Sequence, residues 1–307
     1  MNFTGVFPIL ATPFKPDESF DDVAMRRMLE FMASLNVDGV TVLGVLGEAN
    51  RMTDRDRERI IRCTVETLAG RTPVIVGISH PGTSATIELA AMASELGADA
   101  VMLTPSAEPV PNDARVAEYF GRVCSASRLP VVLQDHPASS SVHMQAPLIA
   151  RIVEENPGIA CVKAEAVPSP TKITTLRGLF KRPVPMLTGL GGLYGQFDLE
   201  AGSSGYNTGF AFPEVLQAQV AAQQAGDVAR ARRIWAHFLP LMVFEQQPGV
   251  AVRKELLCRR DLLSSATVRH PGAGLLPAAA DGLSAVIDWV MPGVDITRPI
   301  DVSAIIE

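Results

Sequence analysis

The chain has 307 residues, 47% of them hydrophobic and 20% charged, with a formal net charge of -6. That composition belongs to a globular protein with ample material for a large core, and its acidic balance argues against nucleic acid or an anionic membrane as partner. Four cysteines and five histidines lie scattered without CxxC or HExxH spacing, so neither a metal nor a cofactor is expected. The opening Met1-Asn-Phe-Thr-Gly-Val-Phe-Pro8 has no basic stretch followed by an apolar one, and every apolar run is too short to span a bilayer. The expectation is a soluble cytoplasmic protein with reduced thiols.

Short β-branched runs alternate along the chain with longer segments of helical period. The expected strands are residues 6–10, 39–43, 74–78, 100–103, 131–134, 159–163, 186–188 and 205–208. The pattern predicts helices over 22–35, 54–69, 84–96, 113–125, 146–154, 169–179, 193–201 and 213–225. Thr53 and Asn112 stand where a side-chain oxygen caps a helix start. Eight strand–helix pairs is the number that closes a parallel (β/α)8 TIM barrel, and strands apolar on both faces suit one. An open doubly wound sheet is the competing layout, but no G-x-G-x-x-G follows the first strand. Further helices are expected over 228–245, 249–257 and 283–291, punctuated by Pro248, Pro271 and Pro277. Residues 1–225 thus read as the barrel and 226–307 as a C-terminal helical extension of the same domain. The extension's arginines (Arg230, Arg232, Arg233, Arg253, Arg259, Arg260) are expected on a solvated or subunit-facing surface.

Active sites of such barrels lie at the C-terminal ends of the strands. There the sixth strand ends in Lys163, within the apolar run Pro157-Gly-Ile-Ala-Cys-Val-Lys163. A buried ammonium is costly and tends to shed its proton. A lysine of lowered pKa is a nucleophile that can condense with a carbonyl to form a Schiff base. Strand alternation puts Gln134 and His136 on one face, and likewise Lys163 and Glu165, giving the lysine neighbours able to move protons. Plainer readings stand beside these. His80 and His136 read equally as loop histidines, Asp135 as a brace, and Glu48 as a structural hydrogen-bond acceptor. Glu165 also reads as an ion-pair partner that raises the lysine pKa. Gly189-Leu-Gly-Gly192 is either a tight turn or a helix start that receives an anion.

Taken in order, Thr12-Pro-Phe14, Gly44-Val-Leu-Gly-Glu48, Thr53-Asp-Arg-Asp-Arg57 and residues 130–137, 158–163 and 189–209 carry a resemblance over most of the chain. It resembles the dihydrodipicolinate synthase/N-acetylneuraminate lyase family of class I, Schiff-base aldolases and lyases. The resemblance implies that Lys163 is the Schiff-base lysine on strand six of a (β/α)8 barrel. It further implies a homotetramer or dimer, and a 2-oxo acid or oxo sugar acid, commonly pyruvate, as small-molecule partner.

The chain also departs from the family pattern. Val45-Leu46 replaces a threonine pair whose hydroxyl and backbone groups hold the substrate carboxylate, and Gln134 replaces the proton-relay tyrosine. Ala107 aligns with a second relay tyrosine donated by a neighbouring subunit, Ser139 with an arginine of the synthases, and Asn207 with an apolar residue. With relay and clamp absent, true dihydrodipicolinate synthase activity is not expected. The expectation is instead a lyase, in the aldolase or dehydratase sense, with Lys163, Glu165 and His136 catalytic. Thr12, Gly44, Val45, Leu46, Gln134, Gly189 and Asn207 are the expected substrate contacts. Dehydration of a deoxy-oxo sugar acid and a non-catalytic metabolite-binding paralogue are the alternatives, and retention of Lys163 beside Glu165 argues against the latter.

Overall fold

Strand alternation and helix period combine here into a barrel; the computed structural model describes residues 1–105, 112–247 and 249–307. Its strands are β1 (Gly5–Pro8), β2 (Val40–Val42), β3 (Val74–Gly77), β4 (Ala100–Leu103), β5 (Val131–Asp135), β6 (Ile159–Ala164), β7 (Met186–Thr188) and β8 (Gly205–Thr208). All are parallel, in the order β1-β8-β7-β6-β5-β4-β3-β2, and a parallel bridge from Ile9 to Thr41 brings β1 back beside β2. Around them lie α1 (Asp22–Ser34), α2 (Asp54–Leu68), α3 (Thr83–Glu95), α4 (Asp113–Ala126), α5 (Pro137–Ser140), α6 (Ala146–Glu155), α7 (Ser169–Leu179), α8 (Gly195–Ala201) and α9 (Pro213–Gln224). The C-terminal segment adds α10 (Val228–Glu245), α11 (Ala251–Arg259), α12 (Pro277–Val290) and α13 (Val302–Ile306). No helix among the described residues is long and apolar enough to cross a membrane.

The two faces of each strand bury different cores, as a barrel wrapped by helices requires. Phe7, Ile75, Met102, Val132, Cys161 and Leu187 fill the barrel interior. Val6, Val40, Val42, Val74, Val76 and Val101 instead join the larger core shared with the helices. Closure leaves little room at β8. Gly205 has φ +147°, and a Cβ there would lie 1.9 Å from the carbonyl oxygen of Gly5. The glycine-rich composition of this short strand is thus what lets it pair with β1.

The expected strands all form, and 100–103, 186–188 and 205–208 have the expected bounds. Thr53 and Asp56 make a reciprocal capping box on α2, and the Asn112 side chain accepts from Arg115 N–H at 3.0 Å. Differences gather where glycine or proline changes its meaning with context. α8 starts at Gly195 rather than 193, because residues 190–192 form a 3-10 turn with Gly191 and Gly192 at φ +66° and +89°. α12 starts at Pro277, since proline fits the first helical turn, where its missing N–H would be unpaired anyway. The short helices α5 and α13 carry too little periodic pattern to be expected.

Two arginines depart from the expected solvated surface. Arg253 and Arg260 are buried, because each has a carboxylate partner inside the fold. The Arg260 guanidinium meets Glu214 at 2.6 Å, donates to the carbonyls of Ala211 and Ile296, and lies 4.3 Å over the Phe212 ring. It thereby ties α9 and the segment before α13 to the end of α11. Arg232 does sit on the surface, paired with Glu200, while Arg259 is half-buried beside Glu255. Because removing one partner strands a buried charge, Arg260→Met is expected to lower unfolding stability by about 3–5 kcal/mol. Adding Glu214→Gln should restore part of that loss, both read from urea denaturation midpoints.

Candidate active site

A cavity of about 670 Å3 opens at the C-terminal ends of the strands. It shares Val45, Leu46, Gln134, His136, Leu190 and Gln246 with an inner chamber of about 60 Å3 that is also lined by Lys163 and Glu165. Cys161, Lys163 and Glu165 alternate inward along β6 and its continuation, while Val132, Gln134 and His136 do so from β5. One strand register, Gln134 beside Lys163, brings the polar set together.

Lys163 is 1% exposed, and its Nζ lies 3.0 Å from Oε2 of Glu165. Burial lowers the lysine pKa, the Glu165 charge opposes that shift, and the Arg253 charge adds to it. Burial works to raise the Glu165 pKa, but the charges of Lys163 and His136 and the Gln134 hydrogen bond outweigh it and hold the group ionised. Gln134 Nε2 donates to Glu165 Oε2 at 2.7 Å. Leu190 N–H donates to Oε1 at 3.2 Å. The glycine-rich turn after β7 therefore does receive an anion, the protein's own carboxylate. A Cβ on Gly189 would lie 2.0 Å from Glu165 Oε1, so the bare backbone is what admits the carboxylate there.

His136 is half-buried, and burial lowers its pKa against the pull of Glu165. Its Nδ1 shares a 2.7 Å hydrogen bond with Ser139 Oγ. Gly44, Val45 and Leu46 line the outer cavity, with the 3-10 turn at Val45–Gly47 closed by Gly47 N–H donating to Gly44 O at 3.0 Å. Thr12 is directed elsewhere: its hydroxyl donates to Gly47 O at 2.7 Å and holds that turn from behind. Asn207 lies deeper in the barrel, where its Nδ2 donates to Phe7 O at 3.0 Å and Thr41 Oγ1 at 2.8 Å. Neither Thr12 nor Asn207 is among the residues lining the two cavities. Asp135 meets Lys172 of α7 at 2.6 Å, and exposed His80 accepts from Gly82 N–H. Glu48 is buried against Lys254, Arg51 and the Arg269 backbone. The position aligned with a second tyrosine, Ala107, lies outside the described residues.

The reading of the sequence placed no part of the C-terminal segment at the cavity, yet Glu245, Gln246, Gln247, Gly249, Val250 and Arg253 all line it. Gln246 packs against Gly191, and Glu245 accepts from Arg253 Nε and, at 3.1 Å, from Ala211 N–H. The available signal was faint. Val252-Arg-Lys254 places two cations directly after apolar residues in a helix buried on several sides, so no amphipathic stripe separates buried from solvated positions.

Comparison with known proteins agrees with this architecture. Residues 2–288 match the dihydrodipicolinate synthetase family. The chain is 31% identical over 288 residues to L-2-keto-3-deoxyarabonate dehydratase of Azospirillum brasilense, covering 92% of this chain and 93% of that protein. It is 29% identical over 250 residues to 4-hydroxy-tetrahydrodipicolinate synthase of Methanocaldococcus jannaschii, covering 78% and 82%. The crystal structure of dihydrodipicolinate synthase from Rhodopseudomonas palustris superposes with a TM-score of 0.88 at 37% identity, over 93% of this chain and 97% of that one. A parallel eight-stranded barrel with a buried lysine at the end of its sixth strand, matched along nearly its whole length, thus belongs to the dihydrodipicolinate synthetase family, a family of lyases and aldolases.

Proposed function

We propose that the protein is a Schiff-base lyase that dehydrates a 3-deoxy-2-oxo sugar acid, with Lys163 as nucleophile and Glu165 as the group that moves the proton. The observation that carries this is the 3.0 Å pairing of a fully buried lysine with a carboxylate, in a chamber lined by none of the chain's three tyrosines. The similarity to a keto-deoxy sugar acid dehydratase along 92% of the chain supports the choice of substrate class.

The Lys163 amine adds to the C2 carbonyl, and loss of one water with uptake of one proton, given back when the imine is later hydrolysed, yields the protonated imine. That cation acidifies the C3 hydrogens. Glu165 removes a C3 proton, leaving an enamine. The enamine electrons then expel the C4 hydroxyl, which leaves as water with the proton that Glu165 returns. Addition of water to the remaining unsaturated imine releases the product and the free amine. Gln134 orients Glu165 throughout, since an amide can hold the carboxylate but cannot itself exchange protons at these pH values. His136, whose pKa burial lowers, is the second group within reach to carry a proton between cavity and bulk water.

Two outcomes check this reading. Borohydride reduction in the presence of pyruvate or a 3-deoxy-2-oxopentonate is expected to give an adduct on the Lys163 peptide, absent in Lys163→Ala. The pentonate should give a product lighter by one water; release of an aldehyde instead would assign aldol cleavage. Glu165→Gln is expected to cut turnover by about 10²–10⁴-fold while leaving adduct formation intact. The pH dependence of trapping has a definite sign. Glu165 is the charge that raises the lysine pKa against burial, so its removal favours the neutral amine and moves the trapping profile to lower pH. A profile that stays put or moves upward would contradict the pairing.

A further inference from the structure

A 2-oxo acid condensed with Lys163 places its carboxylate one bond from the imine carbon, inside a chamber whose walls include Ile9, Val45, Leu46 and Leu190. A carboxylate carried into such surroundings needs a cation or several donors. Three cationic side chains besides His136 border the two cavities: Lys163, Arg51 and Arg253. Lys163 is consumed as the imine. Arg51 lies near the rim, with a side chain 23% exposed and paired at 2.7 Å with Glu48.

Arg253 differs from both. It is 2% exposed, its Nε is held by Glu245, and its Nη2 is buried without a hydrogen-bond partner. A Cβ built on Gly209 would lie 3.0 Å from Arg253 Nη1 and 2.4 Å from Leu46 Cδ1, so the guanidinium abuts the turn that borders the Lys163 chamber. Its charge also contributes to lowering the Lys163 pKa, which puts the two groups within electrostatic reach. With Nε anchored by Glu245, the planar fork is fixed in orientation, and its remaining N–H groups suit the two oxygens of a carboxylate. The charge balance agrees: Lys163 with Glu165 and Arg253 with Glu245 form two neutral pairs, so the site holds no surplus anion to repel an incoming one.

We propose that Arg253 binds the carboxylate of the oxo-acid substrate, so that the C-terminal helical segment supplies the charge that the apolar Val45-Leu46 turn, with only its backbone N–H groups to offer, does not. The proposal rests on the reading that an oxo acid forms an imine at Lys163, and its test separates the two. Borohydride trapping rates on the intact protein are compared for pyruvate and for pyruvamide, its neutral isostere. The wild type is expected to favour pyruvate. In the double variant Arg253→Met/Glu245→Gln, which removes the pair without stranding a buried charge, that preference should fall at least about tenfold. Arg253→Lys should retain part of it, because the charge survives but the fork does not.

A folded double variant with an unchanged acid-to-amide preference overturns the proposal, as does an equal loss for both probes, which would mark a purely structural role. The altered lysine pKa in the variant slows both probes alike and cancels in the ratio. No adduct with either probe on wild type would refute the Schiff-base reading instead. Arg253 is then judged by calorimetric binding of pyruvate. Binding at least about tenfold weaker in the double variant upholds it; equal affinity, or no binding to wild type, overturns it.

Discussion

The arrangement at the mouth of this barrel follows from one buried pair, Lys163 with Glu165. Placing an ammonium and a carboxylate out of water is unfavourable unless each finds partners, and everything around the pair supplies them. Gln134 and the Leu190 N–H complete the hydrogen bonding of the carboxylate. Gly189 leaves the space into which Glu165 fits. The consequence for chemistry is a lysine pulled in two directions, toward neutrality by burial and toward charge by its neighbour. Such a lysine sits closer to reaction than a solvated one and keeps a proton acceptor at its side.

The same rule governs the C-terminal helices and their seam with the barrel. Lys254 meets Glu48, Arg260 meets Glu214, Arg253 meets Glu245, and Arg269 reaches Asp56 on α2. Lys254 also lies 4.1 Å over the Phe14 ring, and Arg269 4.4 Å over the same ring. Buried pairs add little net stability over apolar contacts, but misplacing either member is heavily penalised. They therefore act as locators. The turn containing Glu48 and the helix containing Arg253 are each held where a cavity wall is needed.

The barrel was legible because period-two runs, helical period and cap residues all point to the same elements. Lys163, Glu165, Gln134 and His136 were legible as a cluster because strand alternation is a local rule. Thr12 and Asn207 show where local rules end. Both lie toward the strand ends, yet the hydroxyl is engaged by Gly47 O and the amide by Phe7 and Thr41, partners on nearby strands or the turns after them. Arg253 was misread for the complementary reason: a charged helix residue looks solvated until its buried carboxylate is known. Proline at 277 likewise marks a helix start or a break equally well until the chain's path is fixed.

The placement of Glu245, Gln246 and Arg253 has a consequence in the order of synthesis. The last barrel strand ends at Thr208, and α11 begins at Ala251. As the chain leaves the ribosome, every strand emerges before the wall that seals the lysine chamber. A barrel without these last helices would lack the Gln246 side of the lysine chamber and the Glu245 and Arg253 side of the outer cavity.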